Sequence, residues 1–187
     1  MAATRRKPPR KVTQPSLERA ALAYLERFAA STESLRRVLL RKIERSARVH
    51  DIDRAEASAW VEALIERYLR SGLLDDRAYA EARTASLRRQ GRSARAIADR
   101  LAQKGVGRKA IADALAPTRI ERDELDAAAR LARRRRIGPF RPEAERREHR
   151  ERDLATLGRA GFAFETARKV VLAESSEALD ALIAERG

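Results

Sequence analysis

The stretch "GLLDDRAYAEARTASLRRQG", Gly72 to Gly91, opens on two adjacent carboxylates, Asp75 and Asp76. Joined by a third acid or a histidine, such a pair would hold a divalent cation and support metal-dependent hydrolysis of DNA. On a helix, however, neighbouring positions point about 100° apart, so the two do not converge unaided. At a helix start the first accepts a hydrogen bond from a free backbone N–H and the second faces the positive end of the dipole. Helix initiation is therefore the expected role of both. The only histidines, His50 and His149, stand in charged surroundings with no second ligand at metal spacing, and are expected to be exposed. Cysteine is absent, and no nucleophile motif, Gly-rich phosphate loop or zinc signature occurs. Neither a catalytic residue, a metal site nor a cofactor is expected.

Without cysteine, the 187-residue chain suits a reducing compartment, so a cytoplasmic location is expected. No apolar run is long enough to span a membrane. The formal charge is +14, and all but six of the 42 basic residues are arginine. Such an excess favours a polyanionic partner, either nucleic acid or an acidic protein groove. The first residues, "MAATRRKPPRKVTQP", read as a disordered basic arm over 1–15.

These side chains must be positioned by helices. Alanine, leucine, arginine and glutamate dominate, β-branched residues are few, and glycine serves as punctuation. Between Glu56 and Arg70, Trp60, Val61, Leu64, Ile65, Tyr68 and Leu69 recur at steps of three and four before Gly72. One helical pattern occurs three times. Ser93, Ile97, Leu101, Lys104-Gly105-Val106 and Ile111 correspond to Ser31, Leu35, Leu39, Lys42 and Val49, and Leu157, Ala160-Gly161-Phe162 and Ala167 continue the series. A related helix precedes each copy, and aligning Gly91 with Gly138 leaves "PFRPEAERR", about 139–147, as a loop insertion. Third helices are expected at Arg54 to Ser71, at Arg108 to Ala116, and as a longer one after Glu165. The expectation is all-α, with three tandem three-helix repeats (16–72, 73–118, 119–187) stacked into an elongated, curved body. Gly72, Gly91, Gly105 and Gly161 would be hinges between repeats or rigid helix ends.

Arginines return at matching places: Arg36, Arg37 and Arg41; then Arg88, Arg89, Arg92, Arg95 and Arg100; then Arg133, Arg134, Arg135 and Arg136. Guanidinium groups grip carboxylate or phosphate through paired hydrogen bonds, so the set reads as a positive stripe. Lys104 and Arg108 join it as candidate partner contacts. The competing reading of each cation is a solvated helix face. Aromatic residues are 4% of the chain, and Trp60, Tyr68 and Phe162 occupy core-like positions, which leaves few platforms for base stacking. Tyr79 fits either core or contact.

Taken in order, "GLLDDRAYAEA" (Gly72–Ala82, with Leu74, Asp75, Asp76, Tyr79 and Ala80), "RQGRSARAIADRLAQKGV" (Arg89–Val106, with Gly91, Leu101, Gly105 and Val106) and "LGRAGFAFETARKVV" (Leu157–Val171, with Gly161 and Phe162) resemble the RecX regulatory proteins. The resemblance runs from about Ser16 to Ala184. It departs where Ile43 stands for Gly105 and Ala160 for Lys104. It implies an all-helical, three-repeat, non-enzymatic protein that lies in the groove of the RecA–DNA filament. As a monomer, it would damp strand exchange, ATP hydrolysis and coprotease activity in DNA repair and the SOS response. Two other readings stay open: a general nucleic-acid-binding repeat protein contacting the DNA backbone directly, and the acid-pair hydrolase.

Overall fold

Each helix begins or ends on residues that the sequence marks for that purpose. The computed structural model describes residues 10–116 and 120–185, with the backbone alone for 120–123. The helices are α1 (Gln14–Leu25), α2 (Thr32–Ala47), α3 (Arg54–Arg70), α4 (Asp76–Arg89), α5 (Ala94–Gln103), α6 (Arg108–Ala114), α7 (Ile120–Arg135), α8 (Glu143–Arg159), α9 (Phe164–Val171) and α10 (Ser176–Ala184), with no strand among the described residues. The chain is all-α, as expected. Its contacts form two compact units, one running to Tyr79 and including Lys104–Val106, the other holding Ala80–Gln103 and the residues from Gly107 onward. The middle three helices are thus divided between the units.

In the first unit, Leu17, Leu35, Leu39, Ile43, Val61 and Ile65 are almost fully buried, and Tyr68 and Leu74 close the same core. The apolar stripe of α3 supplies four of these residues, and Asp53 starts that helix by accepting from the N–H groups of Ala55 and Glu56. Trp60 packs against the core from a half-buried position. The basic arm is shorter than expected. Of its residues, 1–9 lie outside the described residues, but Val12 is buried and Thr13 with Ser16 forms a capping box at the start of α1. Ser46 holds this entry: its Oγ accepts from Val12 N–H at 3.0 Å and donates to the Arg10 carbonyl at 3.0 Å. Burying Val12 needs that backbone pairing, which a proline-containing basic segment does not advertise.

In the second unit, Leu125, Ala128, Ala132, Leu157, Val170 and Leu179 make the main core. The region after α7 differs from the expected loop. Gly138–Phe140 is a 3-10 turn, and α8 starts at Glu143 directly after Pro142, so half of the insertion is helix. The alignment of Gly91 with Gly138 also shifts. After α4, Arg92 N–H bonds to the Leu87 carbonyl and Gly91 has φ +70°; after α7, Ile137 N–H bonds to the Ala132 carbonyl and Arg136 has φ +53°. Arg136, not Gly138, therefore occupies the left-handed closing position, at some conformational cost to a residue with a Cβ. The long helix expected after Glu165 is two, α9 and α10, because Ser175 caps a new start by accepting from Ala178 N–H.

Candidate functional site

The acid pair resolves into two different caps. Asp75 Oδ1 accepts from the N–H groups of Arg77 (2.8 Å) and Ala78 (3.0 Å), starting its own helix. Asp76 reaches elsewhere: its Oδ1 accepts from Thr32 N–H at 2.8 Å, at the first residue of α2. The two carboxylates serve separate helices, and no group of three His, Asp or Glu among the described residues could hold a metal. His50 and His149, expected to be exposed, are half-buried.

Around Thr32 is an arrangement that the second unit repeats. Ser31 Oγ accepts from Ser34 N–H (3.2 Å) and donates to the Lys104 carbonyl (2.5 Å). Ser93 Oγ accepts from Ala96 N–H (3.2 Å) and donates to the Ala160 carbonyl (2.8 Å). Just as Asp76 serves Thr32, the Glu124 carboxylate accepts from Ala94 N–H, the first residue of α5, at 3.0 Å. The next residue after each bonded carbonyl is a glycine pressed on the same helix start. A Cβ on Gly105 would stand 2.3 Å from Glu33 Cβ, and one on Gly161 would stand 2.6 Å from Ser93 Oγ. Ser31, Ser93, Gly105 and Gly161, found by repeat comparison, are thus the parts of two matching clasps. Tyr79 is half-buried; Ala80, Leu101, Val106 and Phe162 are core.

The expected cations separate into committed and uncommitted groups. Arg88 pairs with Glu124 in a site where both side chains are only 12% exposed. Arg133 bonds Asp180 at 3.0 Å and lies over the Phe140 ring at 5.1 Å. Arg36 joins Glu33 (2.7 Å) and Glu62 (2.8 Å), and the hydrogen bonds from Arg36 and then Arg37 hold the Glu33 carboxyl below the ordinary carboxylate range, against the opposing effect of burial. Arg89, Arg92, Arg95, Lys104, Arg108, Arg135 and Arg136 are exposed. Arg134, also exposed, donates to the Gln90 carbonyl at 3.0 Å, which brings the last turn of α7 to the turn carrying Arg89 and Arg92. Sequence clusters more than 40 residues apart thereby meet in one patch of the second unit.

Sequence reasoning missed a second polar constellation. Asp153 is 3% exposed and accepts from Gly138 N–H (3.0 Å) and from Arg141 (3.1 Å), whose guanidinium it stabilises in the charged form. Arg146 adds bonds to the carbonyls of Pro139 (2.9 Å), Arg141 (3.0 Å) and Glu174 (2.7 Å). This network ties the 3-10 turn to α8. Its signal was the surplus of polar residues in the insertion, "PFRPEAERR".

Comparison with known proteins adds a lineage to this geometry. A family model described as the second three-helix domain of RecX matches residues 75–115. A regulatory protein RecX of Myxococcus xanthus (strain DK1622) is 51% identical over 166 residues, covering 88% of this chain and 89% of that protein. A regulatory protein RecX of Agrobacterium fabrum (strain C58 / ATCC 33970) is 32% identical over 162 residues, covering 87% and 85%. No solved structure matches the chain.

Proposed function

The chain belongs to the RecX family of regulatory proteins, and from that membership we propose that it binds RecA and the RecA filament on DNA and inhibits recombinase, ATPase and coprotease activity. In this reading it acts in the cytoplasm by occupancy, with no catalytic step and no cofactor. The observation that carries the reading is 51% identity across nearly the whole chain to a protein named as regulatory. The structure supports it with a patch suited to anionic surfaces: Arg89, Arg92 and Arg134 gather around one turn with guanidinium groups that no carboxylate engages. The acid pair supports it too, because both carboxylates are spent on helix starts.

The test is RecA ATP hydrolysis on single-stranded DNA, measured with this protein added well below one copy per RecA. The expected result is slowed turnover that the Arg89, Arg92, Arg95 triple reversal to glutamate largely relieves. Unchanged turnover at equimolar protein would overturn the reading. The net charge of +14 favours a second reading, nucleic-acid binding through phosphates without RecA. That reading predicts capture of DNA but no capture of RecA in DNA-free buffer.

A further inference from the structure

In the second unit a cleft of about 480 Å³ is lined by Glu81, Thr84, Arg88 and Arg89 of α4, Asp113 of α6 and Asp126 of α7. Its polar groups are unevenly committed. Lys109 holds Asp113 at 2.8 Å and Arg130 holds Asp126 at 2.9 Å. Arg88 gives one guanidinium nitrogen to Glu124, yet its buried Nε–H has no hydrogen-bond partner. Thr84 is 8% exposed, and its buried hydroxyl has no partner either. An unpartnered buried donor costs on the order of 1–3 kcal/mol, so two on one helix face at the wall of an open cleft call for an acceptor from outside. Thr84 and Arg88 are one turn apart on α4, so both point to the same side. Arg89, exposed at the rim, adds a third donor group.

We infer that this cleft is a docking pocket for one aspartate or glutamate side chain presented by a protein partner. The acceptor requirement comes from the Arg88 Nε–H and the Thr84 hydroxyl. The choice of a protein over a nucleic acid comes from the rim, where Glu81, Asp113 and Asp126 would repel successive phosphates of a backbone. A single carboxylate entering between them meets only donors at the inner wall. The inference rests on the proposed protein partner above: the arginine patch would provide the long-range attraction, and the cleft would select a residue of RecA.

Thr84→Val keeps shape and removes the hydroxyl, while Thr84→Ser keeps it. Full-length variants, checked for native helix content, are titrated onto RecA filaments on labelled single-stranded DNA, and separately onto the naked oligonucleotide. Thr84→Val is expected to weaken filament binding about fivefold to tenfold, with Thr84→Ser close to the original and naked-DNA binding unchanged in both. Filament binding by Thr84→Val equal to the original overturns the inference, as does an equal loss on naked DNA, which would make the cleft a phosphate site. A second arm needs no RecA: the free protein is titrated with acetyl-Gly-Asp-Gly-amide or its asparagine counterpart, following the Thr84 methyl resonance by NMR. Movement with the aspartyl peptide alone supports the pocket even if the filament is not bound, in which case the proposed function fails and the cleft stands. No movement with the aspartyl peptide overturns the pocket.

Discussion

Two aspartates side by side in the sequence have separate duties in the fold, and only one duty was legible. A local N-cap follows from residue type and position, which is why Asp75 was readable. The reach of Asp76 to Thr32, 44 residues away, depends on tertiary packing that no local pattern encodes. Asp153 was hidden more deeply. In the repeat alignment it falls where Leu35 and Ile97 are fully buried, so an apolar residue was due there. Instead, a carboxylate answers the Gly138 N–H and the Arg141 guanidinium. Removing one partner of a buried, hydrogen-bonded pair leaves the other uncompensated, a loss of about 3–5 kcal/mol. Asp153→Ala should therefore lower unfolding free energy by about 3 kcal/mol in urea titration, because the Arg141 side chain, at 20% exposure, retains some water. Asp153→Asn, still able to accept from Gly138, should lose less. Equal stability of the alanine variant and the original would mean that the pair contributes no more than an apolar contact.

At the scale of elements, periodicity located most helices because core-facing positions must recur at 3.6 residues, and α3 follows its predicted limits within one residue. Boundaries set by distant partners were not readable: Ser46 ordering the chain at Val12, and Ser175 dividing α9 from α10. Repeat comparison did better. The absence of a glycine at Ile43, a departure from the middle repeat, now has a physical account: α2 continues through Ile43 to Ala47, so no turn needs to close there. Gly105 differs because Glu33 packs against it. An alanine there combines a left-handed φ of +75° with a Cβ only 2.3 Å from Glu33 Cβ, which is near the backbone and cannot swing aside. Gly72 has a similar φ of +72° but open space around it. Gly72→Ala should thus cost about 1 kcal/mol from backbone strain alone, and Gly105→Ala about 3 kcal/mol once overpacking is added. Urea unfolding of the two variants measures the difference, and equal losses would show that the clasp yields without penalty.

For the molecule as a whole, composition announced the class of partner but not the surface that meets it. A charge of +14 attracts any polyanion, yet the ion pairs of Arg88 with Glu124 and Arg133 with Asp180 remove cations that the sequence placed in the stripe. Those pairings join residues 36 and 47 positions apart, so the division into committed and uncommitted arginines emerges only on folding. It also separates two causes of binding. If net charge alone drives association with the filament, reversing any three exposed arginines should weaken it equally, since screened long-range attraction depends on the sum. If the patch makes contact, position decides. Reversal of Arg89, Arg92 and Arg95 should raise the filament Kd at least tenfold at moderate salt and flatten its salt dependence, whereas reversal of the equally exposed Arg19, Arg147 and Arg150 should shift it about twofold. Both triple variants have the same net charge, so the comparison cancels the general field. Equal effects in the two sets, measured by anisotropy across a salt series, would assign the attraction to total charge and leave the patch without a role.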